Sequence, residues 1–244
     1  MKLLKKLIVV LLSLVAVCVV GGAVAFYALT YKPTDEAVQY ASTAQTHDGV
    51  KVFKSTSQGD EKGQIVFYGG GLVEDASYAK LGAKLADRGY SFYLIHSTLN
   101  LPVLSIQKAQ QVIHRYGLKH VYLGGHSLGG VVAAMNAENA GDAGSSGEID
   151  GLLFLASYPP ESVDLSSRKL RVLSLTASND KVLQWDNYEK AKKRLPSDAS
   201  YVTIDGGNHS GFGLYGHQRG DGEATISADE QQDEIVDQIA RFIG

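Results

Sequence analysis

The stretch Tyr122-Leu123-Gly124-Gly125-His126-Ser127-Leu128-Gly129-Gly130 constrains this chain more than any other. A short apolar run, residues 119–123, leads into it, and a helix-like run, residues 131–140, leads out. A strand that turns at once into a helix needs glycine two residues before and two residues after the apex, because the backbones approach too closely there for a Cβ. Such a turn strains the apical residue, here Ser127, and lifts its side chain clear of the sheet. A glycine-rich βα turn in a purely structural domain would show the same local pattern, so the surroundings decide.

Those surroundings alternate. Residues 50–54 and 64–68 have strand character, and the polar, turn-rich residues 55–63 between them are consistent with a hairpin. Gly69-Gly70-Gly71 follows, then a helix over 76–88, with Asp75 as its N-cap candidate and Gly89 as its stop. Strands are expected over 91–95, 120–123, 152–156, 170–175 and 201–204, with helices over 106–116 and 185–194 and a loop over 141–147. Ser227-Ala228-Asp229-Glu230 forms a capping box before Ile235, Ile239 and Phe242 at helical spacing. Strands and helices alternating at this interval imply an α/β fold: a mostly parallel, twisted sheet covered on both faces. Residues 50–244 read as one such domain, and 244 residues suffice for a sizeable core.

Residues 1–6 are basic, and residues 7–31 carry no charge until Lys32. As a helix, residues 7–31 would reach about 37 Å, enough for a hydrocarbon core of about 30 Å. The lysines should stay cytoplasmic, which puts the domain outside. The expectation is a single-pass signal-anchor in the cell membrane, with residues 32–49 as linker and first strand and Pro33-Thr34-Asp35-Glu36 as polar spacer. Ala23-Val24-Ala25 would also suit cleavage and secretion, and Val15-Ala16-Val17-Cys18 faintly resembles a lipoprotein signal. A net charge of −3 with no basic, aromatic-studded patch gives no reason to expect nucleic acid. The one Cys, Cys18, lies in the apolar run, so cysteine chemistry is excluded from the domain. The seven His are scattered without an H-E-x-x-H, and neither a metal nor a cofactor is expected.

Active residues of a parallel sheet collect where strands end. Ser127, Asp180 and His209 each follow an expected strand, in the order Ser, Asp, His. A Ser hydroxyl is a poor nucleophile without a base in reach. His209 can take its proton and return it to a leaving group, while Asp180 would hold the imidazole tautomer. Asp205 and Asp186 rival Asp180, which also suits a turn; His217 rivals His209. For oxyanion donors the expectation is the Leu128 N–H with the Leu72 N–H, Gly71 being a close rival. Tyr158, Phe212 and Tyr215 are candidate pocket walls, though such residues are more often packing than substrate contacts, and His126, at an x position of the elbow, is packing or pocket wall.

Gly125-His126-Ser127-Leu128-Gly129-Gly130, Ser178-Asn179-Asp180 and the stretch from Gly206-Gly207-Asn208-His209 to Gly222 resemble the α/β-hydrolases, in particular the compact bacterial group related to dienelactone hydrolases. The likeness runs from about Val50 to the C-terminus. It implies an α/β-hydrolase fold and a serine hydrolase of carboxylesterase type acting on small acyl esters. Dienelactone hydrolases proper use Cys where Ser127 stands, and His217 replaces an expected Pro. In this fold, caps are inserted after the strand that follows the elbow helix. Residues 157–169 are too few for one, so an open cleft and small or soluble acyl groups are expected. An envelope acyltransferase with the same triad, or a binding module on an inactive hydrolase fold, are the other readings.

Overall fold

The computed structural model describes residues 2–140 and 149–244; the loop expected over 141–147 lies outside the described residues. Eight strands form one sheet: β1 (Gln45–His47), β2 (Val50–Phe53), β3 (Gly63–Tyr68), β4 (Tyr90–Ile95), β5 (Val121–His126), β6 (Ile149–Leu155), β7 (Arg171–Ala177) and β8 (Ser200–Ile204). Their order is β1-β2-β4-β3-β5-β6-β7-β8. From β4 to β8 all neighbours run parallel, while β2 is antiparallel to both β1 and β4.

The hairpin expected between β2 and β3 does not form. β2 pairs with β4, and β3 lies one place further in, parallel to β4 and β5. The hairpin actually present joins β1 to β2 through Asp48-Gly49, both at positive φ (48° and 73°). Asp-Gly is the favoured sequence for such a two-residue turn, because both positions must be left-handed.

The inner parallel strands β3 to β7 are largely buried because both sheet faces are covered there, whereas the edge strand β8 is mostly exposed. Side chains alternate between two cores: Phe92 and Leu94 face one side, Tyr93 and Ile95 the other. Helices α3 (Ala79–Asp87) and α7 (Ala228–Ile243) cover the first core, and α4 (Lys108–Tyr116) and α5 (Leu128–Asn139) the second. Burying each large apolar side chain contributes about 1.5–3 kcal/mol. The capping box at Ser227 forms, Ser227 Oγ accepting from Glu230 N–H and Glu230 accepting from Ser227 N–H. The helix expected over 76–88 begins instead as a 3-10 turn, Asp75–Tyr78.

Asp75 is not that helix's N-cap. Its carboxylate pairs with Lys51 at 2.6 Å and lies 3.7 Å from His96. Burial raises its pKa, but His96 and Lys51 outweigh burial and hold it below the usual 3.8. A depressed carboxylate stabilises the fold above its unfolded pKa and loses that contribution as pH falls below about 4. Asp75→Asn should therefore cost about 2 kcal/mol near neutrality and flatten the acid limb of melting temperature against pH. An unchanged acid limb would show that the pair contributes nothing.

α3 and α7 are further joined by parallel rows of charge. Lys80, Lys84 and Arg88 meet Asp229, Asp233 and Asp237 in register, and the buried Lys80 ammonium also binds Glu36 at 2.6 Å. Glu36 belongs to α2 (Asp35–Ser42), which occupies part of the expected spacer: Thr34 caps it by accepting from Ala37 N–H. Acidic Asp35 and Glu36 in its first turn complement the helix dipole.

α1 (Lys2–Leu29) is a single helix about 42 Å long. Its section Leu11–Leu29 has mean hydropathy 2.3 and is not buried by the other described residues. One apolar N-terminal helix is thus long enough to serve as a membrane anchor or a signal sequence.

Candidate active site

The strand order reverses around β3. Chain leaving β3 returns on one side as β4, and chain leaving β4 crosses to the other side as β5. Such a switch point opens a crevice at the carboxyl ends of the two strands. Gly69–Gly71 lie at the end of β3, and Ser127 at the end of β5.

Ser127 has φ 51° and ψ −120°, a strained combination costing about 1–3 kcal/mol. Its neighbours enforce it. A Cβ on Gly125 would fall within 3.0 Å of Gly129 and Gly130 backbone, and one on Gly129 within 3.0 Å of the Tyr68 and Gly69 carbonyls. Ser127 N–H donates to Leu155 O at 2.9 Å, and Ser157 Oγ donates to Ser127 O at 2.6 Å, so β6 and its following loop brace the turn.

Asp180 follows β7 and His209 follows β8. His209 Nδ1 donates to Asp180 Oδ2 at 2.8 Å, and both side chains are buried. Asp180 Oδ1 accepts from Val182 and Leu183 N–H, each at 2.8 Å, which fixes the carboxylate. With Nδ1 spent on Asp180, the free acceptor of the imidazole is Nε2, which is buried and has no partner among the described residues. The imidazole lies against the elbow, its centroid 4.5 Å from that of His126. Among the described residues, Ser127 Oγ itself makes no hydrogen bond; catalytic contacts of this kind often tighten only with substrate present.

The rivals are placed elsewhere. Asp205 accepts from Ser178 Oγ, Asp186 is exposed in the first turn of α6 (Trp185–Ala191), and half-exposed His217 lies 3.9 Å from Glu223.

Leu72 N–H, the second oxyanion donor expected from sequence, donates to Asn100 O at 2.7 Å and is therefore occupied. Gly71 and Leu128 N–H have no partner among the described residues. These two residues are adjacent: a Cβ on Gly71 would stand 3.0 Å from Leu128 Cδ2.

Of the expected pocket walls, His126, Phe212 and Tyr215 are buried, and their rings pack together beside His209. Tyr158 is half-buried and meets Tyr188 edge-on. His126 Nδ1 and Tyr78 Oη lie 2.8 Å apart, while Tyr78 Oη accepts from Gly70 N–H, also at 2.8 Å. Burial, reinforced by the nearby charge of His209, pushes the His126 pKa well below 6.5, so it stays neutral.

Sequence reasoning missed the framework behind His209. Asp221 accepts from His209 and Ser210 N–H, and Gln231 of α7 bonds both the N–H and the carbonyl of Asn208. The glycines and Asp221 in the stretch up to Gly222 were the available signal, but Gln231 carried none. A cavity of about 410 Å³, bounded by Arg171, Ser200 and Gln238, lies at the amino ends of β7 and β8, away from these residues.

Residues 64–233 match the family described as the alpha/beta hydrolase family. No curated protein matches the chain. Among solved structures, the chain is similar to a CIB-like hydrolase from Thermoplasma acidophilum (TM-score 0.58, 16% identity, covering 80% of this chain and 94% of that one). It is also similar to a Paleococcus ferrophilus monoacylglycerol lipase (0.57, 16%, 79% and 98%) and to Zea mays acyl-protein thioesterase 2 (0.55, 13%, 80% and 99%).

Proposed function

The chain belongs to the alpha/beta hydrolase family, and from that premise we propose that it is a membrane-anchored serine hydrolase that cleaves small acyl esters through an acyl-enzyme on Ser127. The observation that carries this reading is the buried Asp180–His209 pair packed on His126, the residue that precedes the strained Ser127 at the switch point. A structural domain needs neither the strain nor a buried imidazole with an unpartnered nitrogen.

In this mechanism His209 Nε2 accepts the Ser127 proton as Oγ attacks the ester carbonyl. Asp180 holds Nδ1–H and stabilises the imidazolium that results. The oxyanion receives the Gly71 and Leu128 N–H groups, the latter in the first turn of α5, where the helix dipole favours negative charge. His209 then protonates the departing alcohol, and water attacks the acyl-enzyme by the same route in reverse. Neutral His126 matters here, because a second imidazolium beside His209 would oppose its protonation.

The lipase and thioesterase among the similar structures support ester chemistry. Between β6 and β7 there is room for a loop and no cap domain, which supports small or soluble acyl groups. The likeness of the His209 stretch to the dienelactone-related group supports a compact, open-site enzyme, with Ser127 in place of that group's Cys. Hydropathy and exposure of α1 support a signal-anchor with residues 1–6 cytoplasmic and the domain outside.

The detergent-solubilised full chain should hydrolyse a short-chain p-nitrophenyl ester with an initial burst of p-nitrophenol equal to the enzyme present, since acyl-enzyme accumulates before it is hydrolysed. Turnover without Ser127 would sink the mechanism.

A further inference from the structure

α1 ends at Leu29, and no flexible spacer separates it from the domain. Tyr31 N–H donates to Leu72 O at 2.8 Å, and Glu74 N–H donates to Tyr31 O at 3.1 Å. Thr34 N–H binds Leu214 O at 2.8 Å, Arg219 N–H binds Tyr31 Oη at 3.1 Å, and the Tyr31 and Tyr215 rings lie 5.5 Å apart. The segment leaving the helix is thus part of the two loops that follow β3 and β8, and those loops carry Gly71 and His209.

The level of the membrane surface is marked on the same segment. Phe26, Tyr27 and Tyr31 cluster at the end of the apolar run, and Lys32 Nζ sits 4.0 Å above the Tyr27 ring. Aromatic residues followed by a cation are what a helix presents at the bilayer–water boundary.

One further hydrogen bond reaches an apolar surface. Leu72 N–H donates to Asn100 O at 2.7 Å. Asn100 lies in the turn after β4, where Leu99 and Asn100 are both left-handed (φ 52° and 49°) and Leu99, Val103 and Leu104 are 58%, 40% and 54% exposed. Two hydrogen bonds in succession, Tyr31 to Leu72 and Leu72 to Asn100, thus connect this turn to the point where the chain leaves α1.

We propose that the rim formed by Leu99, Val103 and Leu104 is seated in the surface of the bilayer that α1 crosses, so that the mouth of the site is held at the membrane surface. Strain in the Leu99-Asn100 turn is accounted for if it keeps Leu99 outward. The proposal rests on reading α1 as a retained anchor and extends it from a tether to an orientation.

The test uses the full chain with Cys18→Ser and Leu104→Cys, labelled with an NBD fluorophore, in vesicles of equal parts phosphatidylethanolamine and phosphatidylglycerol. Leu99→Cys provides a second position should Leu104→Cys not fold, and Asp198→Cys, just before β8 at the opposite end of the sheet, is the control. The rim probes should shift to the blue and be quenched by nitroxide-bearing lipid, while the Asp198 probe stays water-like and unquenched. Rim probes as water-like as the control, in a chain that resists extraction by alkaline carbonate, would overturn the orientation and leave the anchor standing. Release by carbonate, or a mature chain whose mass shows removal of residues up to Ala25, would overturn the anchor reading and the orientation with it.

Discussion

Ser127→Ala is expected to lower kcat for ester hydrolysis by roughly a million-fold, about 8 kcal/mol of transition-state stabilisation. The size follows from the way the site is shared. His209 has its Nδ1 committed to Asp180 and its Nε2 without a partner among the described residues, which leaves Nε2 free to act as the base for Ser127. His209→Ala should therefore cost about as much, and the double variant should fall no further, because either loss alone disables the unit. Asp180→Asn should cost about ten-thousand-fold, since the amide disturbs the imidazole tautomer that the carboxylate holds. Steady-state rates on a short-chain aryl ester, compared with the uncatalysed background, check all of these. Additive losses in the double variant would mean that Ser127 and His209 act separately.

Gly129→Ala is expected to prevent the domain from reaching its folded state, with a loss above about 4 kcal/mol. Its Cβ would fall within 3.0 Å of the Tyr68 and Gly69 carbonyls at the end of β3, and neither end of that contact can rotate away. Relief would require moving α5 off β3, with loss of the packing of Val132 and Ala133 in the second core. Gly117→Ala is the contrast. Gly117 is also special, at φ 60°, but nothing lies within 4 Å of its Cβ position, so only left-handed strain of about 1–2 kcal/mol applies. Far-UV circular dichroism on heating should show a lowered transition for Gly117→Ala and none for Gly129→Ala. A cooperative, near-parental melt for Gly129→Ala would mean that β3 and α5 are not pressed together as described.

The elbow was legible because its requirement is local: strand and helix touch within five residues, and only glycine at both contact points permits that. The contact of Asp180 with His209 was legible at longer range, because a parallel sheet brings the ends of its strands to one side whatever lies between them. The order of strands was not. β2 and β3 are neighbours in sequence with polar residues between them, which is also how a hairpin looks, whereas β4 lies between them and pairs with both. Leu72 was a reasonable donor by position, but whether its N–H was free depended on Asn100, in a turn whose left-handed Leu99 has no sequence signature. Helix α2 was hidden by its brevity and by a Pro-Thr-Asp-Glu opening that suits a spacer as well as a capped helix. Gln231 was invisible for a different reason: a glutamine on an amphipathic helix is ordinarily solvated, and here it is buried against Asn208.

The central claim is an activated serine at the switch point, and covalent trapping tests it most directly. The full chain in detergent should be treated with a fluorophosphonate and digested, and the modified peptide identified by mass. The account predicts a single adduct on Ser127, absent from His209→Ala although that variant melts normally. A folded parent that takes no label, or takes it on another serine, would contradict the account and leave the fold without the chemistry assigned to it.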